Sequence, residues 1–161
     1  MEKGTKRIGE IMVTKGYITQ AQLTDALTEQ RMTDKFLGTI LLEKGWLKPH
    51  DLTEALAEQF NIPVIDLKAQ YIDMEITNKF SSSLISEHKC FPVSINEETI
   101  TVAILNPLDG EGISTIEEQA RPHKVNFVIA FEDDFNEVMG SYRKFRSQRI
   151  QNLLRKDKPK P

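Results

Sequence analysis

Hydrophobic positions along the first sixty residues recur at helical spacing, and they do so twice. Residues 7–30, RIGEIMVTKGYITQAQLTDALTEQ, align without a gap on residues 36–59, FLGTILLEKGWLKPHDLTEALAEQ, at an offset of 29. Ten pairs are identical: Gly9/Gly38, Ile11/Ile40, Lys15/Lys44, Gly16/Gly45, Leu23/Leu52, Thr24/Thr53, Ala26/Ala55, Leu27/Leu56, Glu29/Glu58 and Gln30/Gln59. Self-similarity at a fixed period marks one supersecondary unit used twice, the copies burying their apolar faces on each other.

Each unit predicts two short helices joined by a glycine turn. Ile8, Ile11 and Met12 mark one face of the first helix, and Gly16 stands where a left-handed residue ends it. Thr19 then offers an N-cap oxygen, with Gln22 three residues on to complete a capping box. In the second unit Pro49 fits the first helical turn, where its missing N–H is not needed. Leu23, Ala26, Leu27 and Gln30 form an inward stripe, which core packing explains except for the glutamine. An amide closing an apolar stripe in both copies, Gln30 and Gln59, needs a partner if buried, either backbone or ligand.

After Pro63 the period shortens. Val64–Leu67, Cys90–Ser94, Thr99–Leu105 and Lys124–Ala130 read as strands, with Asn96-Glu97-Glu98 a hairpin turn. Helices are predicted over Ser82–His88, Gly112–Arg121 and Asp133–Arg146. Asp109 and the run Ser81-Ser82-Ser83 supply helix starts, and Asp133 and Asp134 open the last helix where its dipole favours negative charge. The expected fold is α+β: an all-helical tandem repeat of about four helices over residues 1–63, then a small α/β subdomain over 64–146 whose short sheet is covered on one side by helices. Residues 147–161 are expected to form a basic tail or linker.

A chain of 161 residues with 39% hydrophobic and 28% charged residues has an ordinary globular composition. The net charge of −3 offers no global attraction to nucleic acid or anionic lipid. Basic residues concentrate late: from Tyr142 onward Arg143, Lys144, Arg146, Arg149, Arg155, Lys156, Lys158 and Lys160 face only Asp157. Residues 1–63 carry eight Lys or Arg against nine Asp or Glu, which excludes the basic groove-facing helix of a DNA-binding helix-turn-helix. The lone Cys90, expected to be a half-buried structural thiol, fits a reducing cytoplasm. His50, His88 and His123 are too scattered for metal-ligand spacing, so no metal is expected. No nucleophile and base stand together, so no catalytic residue is assigned. No apolar run could span a bilayer, which predicts a cytoplasmic protein without direct membrane insertion.

The doubled series of Arg-x-Gly (Leu-Gly in the second copy), apolar pairs, Gly, then Leu, Ala-Leu and Gln resembles the tandem motif of the MshEN domain. That domain is the N-terminal part of ATPases that drive type II secretion and type IV pilus assembly. Phe60–Leu67, Phe91-Pro92-Val93, Thr101–Ile104 and Asn106-Pro107-Leu108-Asp109 extend the similarity over about residues 6–145. No GxxxxGK[ST] phosphate cradle is present, so the chain is not the motor, whether it is an orphan domain or a piece of a longer protein.

Some members of that family bind cyclic di-GMP through the two motifs, and others dock a membrane-anchored partner. The resemblance therefore implies a non-catalytic regulatory domain for a secretion, pilus or motility machine, recruited to the inner membrane where a partner holds it. The alternative is a ligand-free domain docking on a secretion or pilus assembly component. No cofactor and no nucleic acid polymer is implied. Carried onto this chain, the ligand-binding set is Arg7, Ile8, Gly9, Met12, Leu23, Leu27, Gln30, Leu37, Gly38, Leu41, Leu52, Leu56 and Gln59. Gly9 and Gly38 would let a phosphate approach the first helical turn, Arg7 would stack on or pair with guanine, and the leucines would face the purines. Ile8 and Met12 are soft departures from the family pattern. Phe36, where a basic residue is often found, can stack on a base but not pair with it.

Overall fold

The computed structural model describes residues 6–156. Four helices come first: α1 (Ile8–Thr14), α2 (Gln20–Gln30), α3 (Leu37–Glu43) and α4 (Pro49–Phe60). Gly16 and Gly45 end α1 and α3 with φ of +73° and +68°, the left-handed region where a side chain is strained. Thr19 caps α2 in the expected reciprocal box: its hydroxyl accepts from Gln22 N at 3.2 Å, and the Gln22 side-chain oxygen Oε1 accepts from Thr19 N at 2.8 Å. Pro49 is the first residue of α4, and Asn61 closes that helix in the left-handed conformation at φ 52°.

The two units exchange partners. α1 packs chiefly on α4, and α2 on α3. The repeated lysines and glutamates make this exchange reciprocal: Lys15 of the first unit pairs with Glu58 of the second at 3.1 Å, and Lys44 of the second with Glu29 of the first at 2.7 Å. The Tyr17 hydroxyl donates to Glu54, and that carboxylate holds the phenol up at about 12. Between the helices Ile11, Met12, Ile18, Leu23, Ala26, Leu37, Ile40, Leu41, Leu47 and Ala55 form one hydrophobic core.

The second core gathers on a four-stranded sheet of order β1-β4-β3-β2, with β1 Val64–Ile65, β2 Cys90–Ile95, β3 Thr99–Ile104 and β4 Lys124–Ala130. β1 and β3 flank β4 in parallel; β2 joins β3 through an antiparallel hairpin. The Asn96 side chain shapes that hairpin by accepting from the N–H groups of Glu98 and Thr99. Pro92 is tolerated because β2 is an edge strand, and a register shift follows it. α5 (Ser82–Glu87), α6 (Gly110–Ala120) and α7 (Glu132–Lys156) complete the chain. Ser81 and Asp109 cap α5 and α6 as expected. A 3₁₀ turn at Met74–Lys79, started by the Asp73 carboxylate, was not expected from the sequence.

Three expectations need correction. Burial is continuous over Cys90–Val93 and Val102–Ile104 rather than alternating, so this part of the sheet is covered on both faces, not one. Cys90 is fully buried, not half-buried, and burial pushes its thiol up to about 12. The last helix continues ten residues past Arg146 to Lys156, because nothing in that basic stretch breaks a helix. Phe135, Val138, Met139 and Tyr142 anchor it in the core, Tyr142 meeting Phe91 edge-on, whereas Ile150, Leu153 and Leu154 stand exposed. α4 serves both cores, giving Ala55 to one and Leu56 and Ala57 to the other.

Candidate ligand-binding cleft

Where the N-terminal ends of α1 and α3 converge with the apolar stripes of α2 and α4, the surface opens into a cleft of ≈880 Å³. That is in the upper part of the range for small-molecule sites. Its walls are built from repeat-equivalent pairs: Ile8 and Leu37, Gly9 and Gly38, Leu23 and Leu52, Leu27 and Leu56, Gln30 and Gln59. Arg7 and Phe36 complete the set as the residues just before α1 and α3, with nearly the same backbone, φ −73° and ψ 144° against φ −69° and ψ 146°. A third wall comes from the sheet half, where Leu105, Asn106 and Leu108 leave β3 for α6.

The three polar side chains expected from the motif are differently placed. Arg7 is exposed; its backbone N–H donates to the Glu10 carboxylate at 3.3 Å, and among the described residues its guanidinium makes no ion pair. The half-buried Gln30 amide donates to the Lys35 carbonyl at 3.2 Å, holding the linker between the units. Gln59 is only 5% exposed and makes no side-chain hydrogen bond to another described residue, so its amide is left to the cleft.

The loop that forms the third wall is itself pinned. His88 Nδ1 lies 2.7 Å from Asp109 Oδ2, and Asp109 Oδ1 accepts from Gly112 N at 2.9 Å. The hydrogen bond to Asp109 holds His88 above its usual range despite partial desolvation. Burial alone would raise Asp109, but the Gly112 N–H and then His88 hold it below the usual carboxylate range. A smaller hollow of ≈350 Å³ beneath this pair shares Leu52, Leu56, Leu105 and Asn106 with the main cleft.

The MshEN domain family model matches residues 60–149, 90 of the 161 residues. The chain belongs to the MshEN domain family. The match falls on the sheet half and most of α7, while the tandem repeat lies before it. The type IV pilus assembly ATPase PilB of Thermus thermophilus is 27% identical over 117 residues, covering 71% of this chain but only 13% of that relative. MshE, solved with cdg, superposes with a TM-score of 0.76 at 28% identity, over 85% of this chain and 99% of that one. The N-terminal domain of XpsE shares the fold at a TM-score of 0.62 and 14% identity, over 87% and 96% of the two chains.

Within this MshEN chain, eleven of the thirteen residues expected from the motif line one cleft. Met12 and Leu41 do not: both are fully buried in the helical core, where they hold the units together. Gly9 and Gly38 are buried, and a Cβ on either would push against the end of the Leu23 or Leu52 side chain, so helix packing favours glycine there as well. Reading the sequence by repeat missed Glu10, Val13, Thr14, Gln20, Thr39 and the wall formed by Leu105, Asn106 and Leu108. Asn106 was legible only as a turn residue, because nothing local links the β3–α6 loop to the helical repeat. Among the described residues, no group of His, Cys, Asp and Glu could hold a metal, and no helix is long and apolar enough to cross a membrane.

Proposed function

We propose that this chain is a non-catalytic regulatory domain whose cleft binds cyclic di-GMP and relays its presence to a secretion, pilus or motility machine. The observation that carries the reading is the pairing of equivalent residues from both repeats around a single cleft. A cyclic dinucleotide has two purines, two phosphates and approximate two-fold symmetry, so a pseudo-symmetric pair of units suits it. The likeness to MshE solved with cdg, the abbreviation of cyclic di-GMP, supports the same ligand. Leu23, Leu27, Leu52 and Leu56 offer apolar surface to the bases, Arg7 offers a planar donor, and Gln59 brings an unengaged amide. Because the loop Leu105–Leu108 belongs to the sheet half, a bound ligand would touch both halves and report its presence to whatever holds the sheet.

Calorimetric titration of cyclic di-GMP into the chain tests this, with GTP as control. Saturable binding to one site is expected. Arg7→Ala should weaken it by about ten-fold or more, the usual loss for a charged hydrogen bond. The fold should survive, since Arg7 is exposed and belongs to neither hydrophobic core. No binding to the folded wild-type chain would overturn the reading.

A second reading, docking on a secretion or pilus assembly component, is favoured by the end of α7. There Ile150, Leu153 and Leu154 are 50–64% exposed on a helix whose described residues beyond Tyr142 include six Arg or Lys and no acid. It predicts that Leu153→Asp with Leu154→Asp leaves nucleotide binding unchanged but abolishes recruitment by that component.

A further inference from the structure

The repeat makes the cleft nearly symmetric, and the charged departures from symmetry fall on one side. Of the described residues lining it, only Arg7 and Glu10 are charged, and both come from the first unit. At the equivalent positions the second unit has Phe36 and Thr39. Arg7 and Phe36 share one backbone conformation, so their side chains start from matching places on the two sides. Phe36 is 60% exposed and lines the cleft, so its ring is accessible to a ligand there.

These substitutions bear on which bases each side accepts. A guanidinium donates to the O6 and N7 acceptors of guanine, whereas adenine presents an N6 amino donor in place of O6 and repels it. A carboxylate such as Glu10 accepts from the N1 and N2 hydrogens of guanine, where adenine has an unprotonated N1. The first unit thus carries two groups that fit guanine and oppose adenine. A phenyl ring stacks on any base, and a threonine hydroxyl both donates and accepts, so it can meet O6 of guanine or N6 of adenine.

We propose that the cleft is an asymmetric receptor, with a guanine-selective side at Arg7 and Glu10 and a purine-permissive side at Phe36 and Thr39. Its ligand class is then any 3′,3′-cyclic dinucleotide with at least one guanine, and 3′,3′-cyclic GMP-AMP binds nearly as well as cyclic di-GMP. The proposal rests on the cyclic dinucleotide reading given above and refines its ligand.

The test is calorimetric titration of the chain with cyclic di-GMP, 3′,3′-cyclic GMP-AMP and cyclic di-AMP. The first two should agree within about three-fold, and cyclic di-AMP should be weaker by about ten-fold or more, the discrimination of one bidentate base contact. Phe36→Arg, at an exposed position where folding is not at risk, should open a gap of about ten-fold between cyclic di-GMP and cyclic GMP-AMP. Cyclic GMP-AMP as weak as cyclic di-AMP, with cyclic di-GMP bound, would show that both sides read guanine and overturn the asymmetry alone. Equal binding of all three would remove the selective side and overturn it too. Failure of every ligand with the folded chain would overturn the cyclic dinucleotide reading itself, and the asymmetry with it.

Discussion

A Cβ placed on Gly9 would lie 2.6 Å from Cδ1 of Leu23, and one on Gly38 would lie 2.8 Å from Cδ1 of Leu52. The same leucine therefore rests on the same glycine in both units, and each pair sits at the wall of the cleft. Both glycines still line the cleft, so helix packing is a second demand for glycine there, beside the room a phosphate would use. Substitution should show this. Gly9→Ala is expected to destabilise the chain by about 1 kcal/mol, overpacking outweighing the helix propensity gained. Gly140 is a control, since it lies inside α7 with nothing within 4 Å of an added methyl; Gly140→Ala should stabilise by about 0.5–1 kcal/mol. Urea denaturation of the two variants measures both signs. Equal effects would refute the packing account.

The exchanged ion pairs lead to a second expectation. Lys15–Glu58 and Lys44–Glu29 are each about one-third to one-half exposed, so each contributes less than about 1 kcal/mol. Their value lies in register, because each pairing joins one unit to the other. Lys15→Glu should lower the denaturation midpoint slightly, and adding Glu58→Lys should restore most of the loss. A double-mutant cycle with no coupling would show that the lysine and glutamate are repeated for another reason.

Cys90 should be chemically silent in the native state. Its sulfur is fully buried at the start of β2, the Leu84 carbonyl accepts from it at 3.7 Å, and burial keeps the thiol protonated at physiological pH. Reaction with a disulfide reagent needs the thiolate and access to it. Labelling at pH 8 should therefore be negligible without denaturant and should rise with the fraction unfolded. Rapid labelling of the folded chain would mean that β2 opens locally.

Much of this architecture was legible because its signals are local. Gly16, Thr19 with Gln22, Pro49, Ser81 and Asp109 each satisfy a nearby backbone demand, so helix ends could be placed within a residue or two. The repeat also marked which leucines and glutamines share a surface. Less legible were features that depend on tertiary contact. Met12 and Leu41 follow the same helical period as the cleft residues, and period alone does not tell a residue facing the cleft from one facing the partner helix. Asn106 joins the cleft only because the sheet half lies against α4. The extent of α7 beyond Arg146 was missed because charge was read as a sign of a solvated tail, although Arg, Lys, Gln and Leu are all good helix formers.

The contact between His88 and Asp109 gives the chain a pH dependence whose sign can be worked out. Asp109 holds His88 above its ordinary value of 6.5, so the pair's contribution is fully present below 6.5 and is lost as pH rises through the folded value. Asp109 is held below its ordinary 3.8, so its own contribution is present above 3.8 and is lost only in more acid solution. Stability from this contact is therefore greatest between about pH 4 and 6.5 and declines on the alkaline side. The neighbours act in the same direction, because Glu87 and Glu111 also favour the imidazolium. His88→Gln keeps a hydrogen-bond donor but cannot titrate. Thermal melts of both proteins at pH 5.5 and 8 should show the wild-type midpoint falling with pH more than that of the variant, the difference isolating His88 from the other histidines. Since Asp109 ends the loop carrying Asn106, ligand affinity should weaken over the same interval in the wild type and change less in the variant. Parallel pH dependence in the two proteins would mean that the pair is not what holds this wall of the cleft.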